Sequence, residues 1–121
     1  EVGLHGRRHV DWRRLDEAAL ADEVDAARSE IAAAAGVPVM GVGIPFGSYD
    51  KRVMHYLTAR GFAQIRTSDG GAAHSGRQVQ NRTSIRSDMP MAQIAALLDG
   101  HEPVMRRLRR AASTALRRHV R

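Results

Sequence analysis

A chain of 121 residues holds one compact domain and is too short for two. Its 43% hydrophobic content excludes disorder by composition, and its longest apolar run, residues 31–42, is broken by Pro38 and too short to cross a bilayer. No cysteine is present, which excludes a disulfide scaffold, a thiolate ligand and a cysteine nucleophile; the net charge of +6 comes from residues 104–121, whose seven arginines leave the rest of the chain at −1.

The body is therefore not a basic nucleic-acid-binding surface, and no nucleic-acid partner is expected. Alanine supplies 19 residues and aromatics only 4%, which predicts a thin core. The chain starts at Glu1 without methionine, and Val2, Gly3 and Leu4 read as the end of a buried strand whose start is missing. The expectation is a piece of a longer protein. A polar loop with two histidines follows, and Asp16 is a good N-cap for a helix, with Leu15 and Leu20 as its hydrophobic staple. Leu20, Val24, Ala27, Ile31 and Ala34 recur on one helical face; Gly36 ends the helix and Pro38 prevents its return.

Residues 37–44 read as a short strand, with Val39, Met40, Val42 and Ile44 buried beside Ile65 and Val2. Residues 45–50 form a turn, and Asp50 caps a second helix to about Arg60 that turns Val53, Tyr56 and Leu57 inward and stops at Gly61. A strand over 62–67, a loop over 68–77 and a strand over 78–86 with Val79 and Ile85 inward come next. A short helix over 89–98, entered through Pro90, precedes a last helix from Pro103 to about Val120. There Val104, Leu108, Ala112, Ala115 and Val120 or His119 share one face, and arginines cover the rest. Alternating strands and helices predict βαβ units and an α/β fold with adjacent parallel strands. Three or four strands are about half of such a fold. Two regions are expected: 1–103 as the fold and 104–121 as a basic amphipathic helix.

Three segments carry candidate chemistry, each at the C-terminal end of a predicted strand, the functional end of α/β folds. His5 and His9, at i and i+4, have the spacing to share a metal ion, although two solvent-facing histidines in a polar loop satisfy the same spacing. Ile44-Pro45-Phe46-Gly47 makes a rigid turn that exposes backbone N–H donors for an oxyanion, or serves simply as a βα loop. Asp69, followed by Gly70 and Gly71, either orients a histidine or binds a sugar hydroxyl, or is turn chemistry alone.

Together these segments resemble the polysaccharide deacetylases, the NodB-homology family of carbohydrate esterases. Residues 1–11, from Glu1 through His5-Gly6-Arg7-Arg8-His9 to Asp11, are similar to that family's second motif with its two metal-binding histidines. The helix with Glu30 and Gly36 is similar to the one that follows that motif. Residues 44–50 look like the third motif, and Gly61-Phe62 with Thr67-Ser68-Asp69 matches the next strand. The resemblance covers about residues 1–86. It implies a partial (β/α) barrel and a hydrolase that removes N- or O-acetyl groups from a sugar. A divalent ion, zinc by expectation, is implied on His5 and His9, with the Phe46 backbone N–H at the oxyanion, Asp69 as a further catalytic group, and Pro45, Phe46 and Tyr49 against the substrate.

The chain also departs from the family pattern. The first motif, paired aspartates serving as base and metal ligand, belongs upstream of the histidines. Gly43 stands where the third motif often has arginine, and Leu98 and His101 are one residue too far apart for the family's Leu-x-His acid. The alternative reading is a non-catalytic fragment that binds glycan, or a polyanion or membrane surface through the arginine helix. An open strand edge predicts pairing with the missing half or with a second copy. Metal binding by this chain alone is expected to be weak, because a carboxylate ligand is lacking.

Overall fold

The computed structural model describes residues 1–101 and 104–119. Four short parallel strands form one sheet in sequence order: β1 Gly3–Leu4, β2 Gly41–Gly43, β3 Gln64–Thr67 and β4 Val79–Asn81. Leu4 lies opposite Val42, Val42 opposite Ile65, and Ile65 opposite Val79. Alternation along a strand places this row on one face of the sheet. Leu4, Val42 and Ile65 are buried there, and Val79 is half-buried against the same core.

Helices cover that face. The Asp16 side chain accepts from the Ala19 N–H at 2.8 Å and caps α1 (Glu17–Ala21). The helix runs on through a π-helical turn, Asp22–Ala26, into α2 (Ala27–Ala35), and stops at Gly36 with φ 66°. Leu20, Val24 and Ala27 are buried as the periodicity predicts, but Ile31 is half-buried and Ala34 exposed. The wide π turn shifts the helical phase, so later positions of the stripe leave the core and Glu23 joins Val24 inside. Asp50 caps α3 (Lys51–Ala59), accepting from the Val53 N–H at 2.9 Å, and Val53, Tyr56 and Leu57 are buried. Arg28 joins the layers: it donates to the carbonyls of Val39 at 2.9 Å and Arg60 at 2.8 Å, with its guanidinium 4.2 Å from the Phe62 ring centre.

The strands are shorter than the hydrophobic runs suggest. The run over 37–44 forms a strand at Gly41–Gly43, with the Met40 carbonyl and the Ile44 N–H bonded to the next strand at its ends, and the Met40 side chain is 42% exposed instead of buried. Val2, expected inside, is 37% exposed, because alternation from buried Leu4 sends it the same way only at a regular strand position, and pairing begins at Gly3. The run over 62–67 pairs from Gln64, and that over 78–86 narrows to Val79–Asn81. Ile85 is therefore outside the sheet and 56% exposed, not inward. Segment 68–78 joins β3 to β4 without a helix, so the βαβ rhythm stops after β3. Two more helices follow, α4 (Met91–Leu98) and α5 (Val104–His119). Pro103 and Val120, expected to bound the last helix, lie outside the described residues. Among the described residues, no helix is long and apolar enough to cross a membrane. Four parallel strands in sequence order with helices on one face are part of an α/β barrel.

Candidate active site

Each strand delivers residues to the same edge of the sheet. His5 follows β1, Ile44 and the Pro45–Gly47 turn follow β2, Ser68 and Asp69 follow β3, and Arg82 follows β4. The register aligns these ends, so residues distant in sequence meet there.

The histidine loop is built around a buried carboxylate. Glu23, with no exposed surface, sits in the π turn and accepts from the backbone N–H groups of Arg7 at 3.0 Å and Arg8 at 3.1 Å. It also accepts from Arg8 Nε at 2.8 Å and from the indole N–H of Trp12 at 3.5 Å. Burial pushes this carboxyl up, but the hydrogen bonds from Arg8 and Arg7 outweigh it and hold Glu23 below the usual carboxylate range. Gly6 crosses directly over this group with φ 82°, where a Cβ would lie 2.8 Å from Glu23 Oε2. No other residue fits that crossing without displacement. Arg7 and Arg8 also pair with Asp22, and Arg7 with Glu30, which fastens the outside of the loop to the helix.

The loop presents His5 and His9 together, their ring centres 4.8 Å apart. The His5 Nδ1 lies 2.8 Å from the Gly43 carbonyl. A carbonyl only accepts, so Nδ1 donates here and Nε2 is the ring nitrogen left to face a metal, the orientation of a metal-ligating imidazole. Two imidazoles on one tetrahedral ion have centres about 5 Å apart, given bonds of about 2 Å. The pair fits half of such a site. Among the described residues no third His, Cys, Asp or Glu joins it in a metal-holding cluster.

His9 itself has φ 55°, and its ring lies against that of Phe46, centres 4.4 Å apart. Phe46 also has φ 55° and is 64% exposed, while Pro45 and Gly47 on either side are buried. A bulky residue held in the left-handed region costs about 1–3 kcal/mol and persists only where its surroundings enforce it. Here Pro45 fixes the approach, and the Gly47 and Ser48 N–H groups close back onto Ile44 and Pro45 at 3.1 and 3.0 Å. The Phe46 peptide and ring are thus fixed at the lip beside the two histidines.

Tyr49 and Asp69 lie deeper. Tyr49, expected against substrate, is 1% exposed and donates its hydroxyl to Asp69 Oδ2. Pro45, expected in the same role, is buried as well. The reason is geometric: the turn aims only Phe46 outward. Asp69 is 8% exposed and is held at the end of β3 by Tyr49. Sequence reasoning missed two residues. Glu23 is hidden in an ordinary acidic helix start, and only the π turn directs it inward. Arg82 arises from β4, where its Nε donates to the Thr67 carbonyl at 3.3 Å and Nη2 to Ser68 Oγ at 3.4 Å. The guanidinium overhangs Gly43: a Cβ there would stand 3.7 Å from Arg82 Nη1 and 3.3 Å from His5 Nδ1.

Comparison with known proteins agrees with this geometry. The model of the polysaccharide deacetylase family matches residues 1–65. A Streptococcus pyogenes deacetylase, PplD, in complex with acetate has a similar structure, with TM-score 0.67, 18% identity, and 82% of this chain aligned to 43% of that one. A polysaccharide deacetylase from Bacillus cereus is similar at TM-score 0.65 and 17% identity, over 81% of this chain and 32% of that one. The chain thus spans less than half the length of either structure. No curated protein matches it. The matched residues hold the histidine loop, the Pro-Phe-Gly turn and the first three strands up to Ile65, and the chain belongs to the polysaccharide deacetylase family.

Proposed function

We propose that this chain carries the histidine-bearing part of a metal-dependent polysaccharide deacetylase, which hydrolyses N- or O-acetyl groups from a sugar. The observation that supports this reading most directly is the His5–His9 pair, with His5 Nδ1 tied to the Gly43 carbonyl and both rings beside exposed Phe46. A divalent ion, zinc in our reading, supplies there a more acidic water and a polarised acetyl carbonyl. His5 and His9 hold it through imidazole nitrogens, and Glu23 keeps the loop in the shape that brings them together. The Phe46 N–H donates to the oxygen of the acetyl group as it gains negative charge. The Phe46 ring packs against the sugar, and Asp69, steadied by Tyr49, accepts from a sugar hydroxyl. Water adds to the acetyl carbon, the bond to the sugar nitrogen or oxygen breaks, and the leaving group takes a proton. Acetate and a free amine or hydroxyl result. The solved S. pyogenes deacetylase is described with acetate bound, which is the product such a reaction releases.

The test compares this chain with a form extended upstream of Glu1. Zinc content and acetate release from an acetylated oligosaccharide are measured in both. The expected result is weak zinc binding and little release from this chain, with both restored in the extended form. His5→Ala or His9→Ala should then abolish both. An extended protein that stays active with both histidines replaced overturns the metal assignment. A fully active short chain overturns the division of the site.

A further inference from the structure

We propose that the candidate site opens into a groove that binds an anionic polysaccharide, so that the acetylated sugar is recognised within an acidic chain. This rests on the deacetylase reading for the identity of the substrate as a glycan. The sign of its charge is argued from the groove itself. Two adjoining cavities, of about 730 and 900 Å³, run from Ser68 and Asp69 along β4 to α5, sharing Gly71, Thr83, Leu97 and Arg110 in their walls. Arg82, Arg86, Arg109 and Arg110 line the nearer one, and Arg77 and Arg107 the farther.

Among the described residues of the two cavity walls, two carboxylates, Asp69 and Asp88, stand with these six guanidinium groups. Asp88 is paired with Arg86 at 2.9 Å, and Asp69 is held by the Tyr49 hydroxyl. Among the described residues, Arg77, Arg82, Arg107 and Arg109 make no ion pair. Arg77, Arg82, Arg107 and Arg109 therefore leave the described wall of the groove net positive, and a concave wall focuses that field. Arg82 stands at the junction, with one edge over Gly43 beside His5 and the other lining the groove. An anion bound along the arginines is thereby continuous with a sugar lying against Phe46.

The lining favours a glycan over a nucleic acid. No Trp, Tyr or Phe is present in either cavity wall to stack on bases, whereas Thr83, Asn81 and Gln93 offer hydrogen bonds suited to hydroxyls. Guanidinium forks match carboxylates in pairs, which suits regularly spaced uronic acids. The charge sits apart from the chemistry: the described arginines of α5 serve the ligand's flank, and the histidines its acetyl group.

The experiment is calorimetric titration of the full chain with three probes at low salt: a heparosan hexasaccharide, alternating glucuronic acid and N-acetylglucosamine; chitohexaose, which is neutral; and the oligonucleotide dT12. Heparosan should bind on the order of tenfold more tightly than chitohexaose, and raising salt from about 50 to about 500 mM should erase the difference. The pair Arg107→Gln with Arg109→Gln should reduce the heparosan advantage while leaving chitohexaose unchanged; circular dichroism checks that the variant is folded. Equal affinity for the two oligosaccharides, no binding of heparosan at about 1 mM, or tighter binding of dT12 overturns the proposal. Heparosan binding without acetate release from any extended form leaves the groove standing and removes the deacetylase reading instead.

Discussion

The apolar core and the basic groove occupy different stretches of the chain. Among the described residues, every buried hydrophobic side chain lies between Leu4 and Ile65, where strands, α1 to α3 and the turns that cap them share one cluster. Beyond Asp69 no described residue is buried, and Ile85, Met91, Leu98, Val104, Leu108 and Leu116 are each more than half exposed. The second stretch is held instead by polar contacts: the Arg82 N–H and Nε on the Thr67 carbonyl, the Gly70 N–H on the Arg82 carbonyl, and the Gly71 N–H on Thr83 Oγ1 at 3.0 Å. The candidate catalytic loop is thus anchored in the apolar core, while the arginine-lined groove is laid on it. Precise chemistry needs side chains locked by packing, whereas charge recognition tolerates looser support.

Truncating the same residue type in both stretches breaks or sharpens this contrast most directly. Leu57→Ala, in the core with no exposed surface, should lower unfolding free energy by about 2–5 kcal/mol in a denaturant titration. Leu98→Ala, at a side chain 76% exposed, should change it by less than about 0.5 kcal/mol. Similar losses at both sites would show that the second stretch hides a core of its own.

Glu23 sets the next effect. Glu23→Gln leaves the Arg7 and Arg8 N–H groups facing a neutral amide inside the fold and should cost about 3 kcal/mol. Zinc binding at His5 and His9 should fall with it, even where the fold is retained. The same group makes the histidine loop sensitive to acid. Because the folded-state pKa is lowered, its stabilisation is complete above the unfolded value of about 4.3 and is lost as pH falls through the folded value. A pH titration followed by Trp12 fluorescence should therefore show a transition below about pH 4 that Glu23→Gln removes. A profile unchanged by that substitution would detach Glu23 from the loop.

The smallest effect concerns a cap. Asp50→Ala loses the hydrogen bond to the Val53 N–H and should cost about 1 kcal/mol, with Asp50→Asn nearly neutral. A larger loss would mean that α3 depends on its cap more than on the burial of Val53, Tyr56 and Leu57.

Much of this molecule was readable from the chain, because the signals are local. Asp16 and Asp50 precede helices they cap, Gly36 and Gly61 adopt the left-handed backbone that ends them, and Leu20, Val24, Val53 and Leu57 repeat at helical spacing. His5, His9 and the Pro-Phe-Gly turn stand at strand ends because those strands were recognisable by their apolar residues. Tertiary structure decided the rest. Met40 reads as core yet is exposed although its carbonyl bonds the next strand, and Ile85 reads as core until pairing proves too short to reach it, since register depends on the neighbouring strand. Glu23 turns inward only through a π turn that no periodicity announces, and Tyr49 is withdrawn from the surface by its bond to Asp69, twenty residues on. Arg82 reaches the Gly43 position across two strand spacings, a contact set by the order of the sheet and not by any spacing in the sequence. Caps, turns and helical stripes are decided within a few residues, and partners brought together by sheet pairing are decided only when the whole fold is assembled.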